Sequence, residues 1–116
     1  MTVTIWHNPR CSKSRQTLDL LKSKGVAPKI REYLKEPPSK AEVEKLLEQV
    51  GGDPRELIRD GEAEFRELKL KKATLIRADI VKAIVARPVL LQRPVVVKGA
   101  HAAIGRPPEA VLSILK

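Results

Sequence analysis

Strand-like alternation in this chain is confined to its two ends, and the long stretch between them reads as helix. Thr2 to Trp6 alternates β-branched and apolar residues until His7-Asn8-Pro9 stops it. Lys29-Ile30-Arg31-Glu32-Tyr33-Leu34 alternates again and is closed by Pro37-Pro38. Val95-Val96-Val97, then Lys98-Gly99, then His101-Ala102-Ala103-Ile104 reads as a β-hairpin. Strands this few and short are accompanied by helices, and an α/β architecture is expected.

The helices can be placed from caps and spacing. One follows Cys11, capped by Ser12 or Ser14, with Leu18, Leu21 and the aliphatic part of Lys22 on one face, and Gly25 ends it. Ser39 and Glu42 form a capping-box pattern ahead of Val43, Leu46, Leu47 and Val50, and Gly51-Gly52 stops that helix. Asp53-Pro54 opens a run of short helices over residues 54–59, 63–68 and 77–86. Pro107-Pro108-Glu109 starts a last helix with Val111, Leu112 and Leu115 apolar. The order is β-α-β, an all-helical insertion over about 39–87, then β-β-α. With 116 residues, no internal repeat and no low-complexity linker, residues 1–116 are expected to form a single domain.

Composition narrows the function. Trp6, Tyr33 and Phe65 are the only aromatics, so the core must be mainly aliphatic, and base stacking is poorly provided for. The 23 basic and 14 acidic residues leave a charge of +9, which attracts anions of many kinds and does not choose among them. No basic leader or long apolar run is present, so a cytoplasmic protein with neither membrane nor nucleic-acid partner is expected. The single cysteine excludes an internal disulfide, a multi-cysteine zinc site and a self-sufficient dithiol couple.

That cysteine, Cys11, lies where the first strand gives way to the first helix. Free amides and the positive end of a helix dipole stabilise a thiolate there, and Arg10, Lys13 and Arg15 add positive charge in sequence. His7 either adds charge when protonated or orients the loop through a hydrogen bond. The competing reading of Cys11 is a small buried hydrophobe. Cys11-Ser12-Lys13-Ser14 has the spacing of a redox Cys-x-x-Cys with serine in second place, so Ser14 either donates to the sulfur or caps the helix. Without a resolving cysteine, any oxidised or adducted Cys11 must be released by an outside thiol. His7, Cys11 and His101 have no metal-ligand spacing, and His101 reads as a partly exposed strand residue. Arg93-Pro94 enters a strand, where proline is tolerated.

Taken together, His7-Asn8-Pro9-Arg10-Cys11-Ser12-Lys13-Ser14-Arg15, Tyr33-Leu34-Lys35-Glu36-Pro37-Pro38, Arg55-Glu56-Leu57-Ile58-Arg59, Arg93-Pro94-Val95-Val96-Val97 and Gly105-Arg106-Pro107-Pro108-Glu109 resemble the glutaredoxin-linked arsenate reductase family. The likeness runs in order from Ile5 to about Leu115 and is nearest to the short bacterial members. It implies a thioredoxin-like fold with a helical insertion. It also implies Cys11 as nucleophile, with His7 favouring its thiolate, and a triad of Arg59, Arg93 and Arg106 holding the oxyanion, joined by Ser14 and Arg15 in substrate binding. Pro94 corresponds to the family's cis proline. The implied reaction reduces arsenate to arsenite with no bound cofactor or metal. Glutathione is the co-substrate and glutaredoxin the partner of a monomeric enzyme. The alternatives are a regulator of the related Spx type, which binds RNA polymerase, or thiol transfer on another anionic substrate. Spx-like proteins usually carry a Cys-x-x-Cys switch, and Ser14 removes its second thiol.

Overall fold

A computed structural model describes residues 2–115. The chain divides into two compact units, one built from its two ends, up to Glu36 and from Arg93 onward, the other from Pro37–Gln92.

The first unit is a four-stranded mixed sheet with helices against it. Its strands are β1 (Val3–His7), β2 (Lys29–Glu32), β3 (Val95–Lys98) and β4 (His101–Ile104), in the order β2-β1-β3-β4. β1 runs parallel to β2 and antiparallel to β3, and β3 pairs antiparallel with β4. The parallel pair requires a crossover, which α1 (Ser12–Ser23) supplies. Val3 and Ile5 of β1, Val96 of β3, Leu21 of α1 and Val111 of the last helix form the core, with Leu18, Val26 and Ile114 packed around them. This α/β order is the one expected, a thioredoxin-like core interrupted in sequence by a helical section.

Three local expectations needed correction in this unit. β2 stops at Glu32, short of Leu34, because the Glu32 carbonyl accepts the amides of both Lys35 and Glu36, at 3.0 and 2.9 Å, and turns the chain. Neither Ser12 nor Ser14 caps α1. Cys11 occupies the cap position, in extended conformation, and Ser14 is the third residue of the first turn, fully buried. The last helix, Pro108–Ile114, is 3-10 and not α. Its two buried residues, Pro108 and Val111, are three positions apart, the period at which 3-10 side chains align.

The Pro37–Gln92 unit is helical apart from one bridge. α2 (Lys40–Val50) starts at the expected capping box, Ser39 Oγ accepting from the Glu42 amide at 3.1 Å while Glu42 Oε1 accepts from the Ser39 amide at 3.0 Å. It buries Val43, Leu46 and Leu47 and ends at Gly51, whose φ of 68° suits glycine. α3 (Ala63–Glu67) and α4 (Arg77–Ala86) follow, and short 3-10 turns fill the remainder. The expected helix over 54–59 is a 3-10 turn, Pro54–Leu57. Beyond it the chain extends, and Ile58 forms a β-bridge with Leu91, both fully buried.

Candidate active site around Cys11

The site is built where β1 ends and α1 begins. The Asn8 carbonyl accepts the Cys11 amide at 3.0 Å and the Asn8 side-chain oxygen accepts the Arg10 amide at 3.0 Å, so one buried residue folds the loop that presents the cysteine. Ser14 Oγ accepts the Asn8 amide at 3.1 Å and lies 2.6 Å from Nδ1 of His7, locking strand end, loop and first helical turn together. Arg15 is directed elsewhere: its Nη1 donates to the Pro9 carbonyl at 2.8 Å and braces the same loop from outside.

His7 is buried. Burial pushes its pKa below the ordinary value of 6.5; the Glu32 carboxylate pulls upward against this, and the Arg15 and Lys22 charges push it down further. The imidazole is therefore neutral at pH 7. Of the two readings open in the sequence, a hydrogen bond that orients the loop fits this ring and a positive charge beside the thiol does not.

Cys11 is half-buried. Burial raises its pKa, but the Ser14 amide, the Arg93 side chain, the Lys13 amide and the Arg93 charge together outweigh that and hold the thiol below its ordinary value. Lys13 and Ser14 occupy the second and third positions of α1, whose amides have no carbonyl partner within the helix. Arg106 completes the surround, its Nη2 donating to the Cys11 sulfur at 3.6 Å and its Nε to the Arg93 carbonyl at 2.8 Å.

Arg93 and Arg106 stand at the two ends of the hairpin. Arg93-Pro94 is a cis peptide immediately before β3, and Arg106-Pro107, just beyond β4, is cis as well. Between them Gly105 donates its amide to the Pro94 carbonyl at 2.9 Å. A Cβ on Gly105 would stand 2.5 Å from Thr17 Oγ1 and 2.7 Å from Pro94 Cγ, so only glycine lets the strand end approach α1 this closely.

Arg59 belongs to the Pro37–Gln92 unit. It lies beyond the 3-10 turn, with Nε 3.1 Å from Glu62 Oε1 and Nη1 donating to Gln92 Oε1 at 3.1 Å. His101 is exposed on β4. Among the described residues no three His, Cys, Asp or Glu side chains are grouped to hold a metal ion, and no helix is long and apolar enough to cross a membrane.

A family model for the ArsC family matches residues 6–114. The chain belongs to the ArsC family. It is 46% identical over 114 residues to a protein of Escherichia coli named YfgD, covering 97% of this chain and 96% of that one. It is 43% identical to an arsenate reductase of Haemophilus influenzae, covering 99% of this chain and 100% of the relative. The solved structure of an arsenate reductase from Vibrio cholerae superposes with a TM-score of 0.91 at 42% identity, covering 98% of each chain.

Within this ArsC-family chain the field around the cysteine is uneven. The unit that carries Cys11 has 12 basic and four acidic residues, whereas Pro37–Gln92 has 11 and 10, so +8 of the formal +9 resides with the thiol. Sequence reasoning missed Asn8 and Gly105 here, Asn8 being legible only as a loop residue.

Proposed function

We propose that the protein reduces arsenate to arsenite in the cytoplasm, as a monomer, with Cys11 as nucleophile and glutathione and glutaredoxin as external thiols. The observation that carries this reading is the convergence of the Arg93 and Arg106 side chains and two helix-start amides on one half-buried sulfur. Such donors serve a thiolate and a tetrahedral oxyanion equally well, since both carry negative charge and accept several N–H groups. The arsenate reductases among its relatives support the choice of oxyanion.

In the proposed cycle the thiolate of Cys11 attacks arsenic and a water molecule leaves, forming a sulfur–arsenic bond. A glutathione thiolate then attacks the Cys11 sulfur. The electron pair of the sulfur–arsenic bond passes to arsenic, which leaves as arsenite, and Cys11 is left in a mixed disulfide with glutathione. A glutaredoxin thiolate attacks the glutathione sulfur and returns the Cys11 thiolate. Arg93 and Arg106 neutralise the oxyanion and the charge that develops on it. Arg59 is assigned as the third arginine by its match to the family motif. His7 and Ser14 act by fixing the loop, and Arg15 contributes charge at its rim.

A regulator of Spx type finds less support, because a dithiol switch needs a second sulfur and the hydroxyl of Ser14 is instead committed to His7 and Asn8. The deciding experiment is a glutaredoxin-coupled assay with arsenate on the native protein, Cys11→Ser and Arg93→Ala. Turnover in the native protein that Cys11→Ser abolishes and Arg93→Ala sharply reduces supports the proposal. No turnover, or turnover undiminished in Cys11→Ser, rejects it.

A further inference from the structure

Arg59 is the arginine of the proposed triad that belongs to the Pro37–Gln92 unit, and its backbone is pinned there beside a single β-bridge. The Arg59 amide donates to the Leu90 carbonyl at 2.8 Å, and the Gln92 amide donates to the Leu57 carbonyl at 2.7 Å. Between these two bonds Ile58 and Leu91 face each other, both fully buried. Arg59 therefore stands opposite Leu90, and Gln92, two residues further along, is its diagonal cross-strand neighbour. A diagonal of this kind spans about 7–8 Å, within reach of a long side chain. The side chains meet as that register implies: Arg59 Nη1 donates to Gln92 Oε1 at 3.1 Å, while Arg59 Nε lies 3.1 Å from Glu62 Oε1.

We propose that Gln92 is a positioning residue, whose side-chain oxygen fixes the Arg59 guanidinium for oxyanion binding. The inference rests on the assignment of Arg59 to arsenate made above. An arginine only donates, so the amide of Gln92 must turn its oxygen toward it. Glu62 and Gln92 hold two different nitrogens of one planar group, which removes its rotamer freedom on folding and not on binding. Among the described residues, Nη2 is the nitrogen that remains to donate to an anion. The two holders differ in charge. The Glu62 carboxylate cancels part of the Arg59 charge as it binds, whereas the Gln92 amide adds a second attachment and leaves the charge in place. A second carboxylate at position 92 would instead compete with the substrate for the arginine.

The test separates binding from chemistry by using the Cys11→Ser protein, in which arsenate binds without forming a sulfur–arsenic bond. Gln92→Met keeps the length of the side chain and removes the oxygen. Titration calorimetry is expected to show arsenate bound about three- to tenfold more weakly, the effect of one modest hydrogen bond. In an Arg59→Met background the same change is expected to have no further effect, because the group it acts through is gone. Gln92→Asn, which draws the oxygen back by one carbon, is expected to weaken binding as well. A glutamine that serves the fold alone would lower the urea midpoint and leave the affinity as it was. Unchanged affinity in Gln92→Met, or a loss of equal size in the Arg59→Met background, overturns the assignment.

A second measurement reads the arginine directly and involves no arsenate. The Nε–H resonance of Arg59, assigned by its loss in Arg59→Met, is expected to move in Gln92→Met and to exchange faster with solvent. An unmoved resonance with unchanged exchange rejects the contact as a fixed one. If the Cys11→Ser protein binds no arsenate while the resonance shifts as expected, the substrate is rejected and the hold of Gln92 on Arg59 stands. Arsenate binding that Gln92→Met leaves untouched rejects the positioning role alone.

Discussion

Arg106 holds Arg93 by the backbone: its Nε donates to the Arg93 carbonyl at 2.8 Å while its Nη2 points at the Cys11 sulfur. A single guanidinium fork thus joins the two ends of the hairpin and faces the thiol. A lysine has the charge but lacks the fork.

Arg106→Lys is therefore expected to lower kcat/KM for arsenate by about 10- to 100-fold, the range in which one or two well-placed charged hydrogen bonds act. The glutaredoxin-coupled assay checks it. Equal rates for Lys and Arg would mean that charge alone matters at this position.

His7 gives a pH dependence of stability with a definite sign. Its pKa in the folded protein is lowered from 6.5, so between the two values the unfolded chain binds more protons. The neutral ring therefore contributes its full stabilisation above about pH 6.5 and loses it as the pH falls through the lowered value. Urea midpoints measured from pH 8 down to pH 5 should decline, and His7→Gln should show a shallower decline from a lower starting point. Parallel pH profiles for the two proteins would refute this.

Gly105→Ala is expected to destabilise the fold by about 1–3 kcal/mol, the usual cost of forcing an extra carbon into a packed site. The clash is with Thr17 and Pro94 and not with a flexible surface chain, so it cannot relax cheaply. Because Arg106 follows directly, the variant should also alkylate more slowly at Cys11 under native conditions. Thermal unfolding and the alkylation rate read the two effects separately.

The uneven charge predicts a salt effect. With +8 on the unit that bears the thiol, kcat/KM for a dianion should fall as ionic strength rises from 20 to 200 mM, by severalfold, while kcat changes little. Salt-independent kcat/KM would show that the excess charge does not steer the substrate.

The parts of the structure that were legible in the sequence are those decided by near neighbours. Ser39 and Glu42 are three residues apart, and both hydrogen bonds of their capping box form as the pattern implies. The strand that ends at His7 and the helix that follows place Cys11 at a helix start, which alternation and spacing alone suffice to show. What escaped involves partners brought together by the fold. Ser14 reads as a cap until His7 and the Asn8 amide, across the strand–helix corner, claim its hydroxyl. Tyr33 continues the alternation of β2, and only the double use of the Glu32 carbonyl takes it out of the strand. The last helix reads as α from its apolar Val111, Leu112 and Leu115, and its 3-10 form, with Pro108 and Val111 buried three positions apart, is decided by packing against the sheet core. The link from Arg106 to Arg93 spans 13 residues and depends on the hairpin between them, which no local pattern encodes.

Cys11 at the cap of α1 sets catalysis against folding. The cap position of a helix favours Ser, Asp or Asn, whose oxygens take up the amides of the first turn, and a neutral thiol does this poorly. α1 has no side-chain cap, so the fold forgoes a stabilisation of about 1 kcal/mol to keep those amides for a sulfur. Cys11→Ser and Cys11→Asp should accordingly raise the unfolding temperature while ending the chemistry. A chain selected for stability alone would be expected to lose its cysteine first.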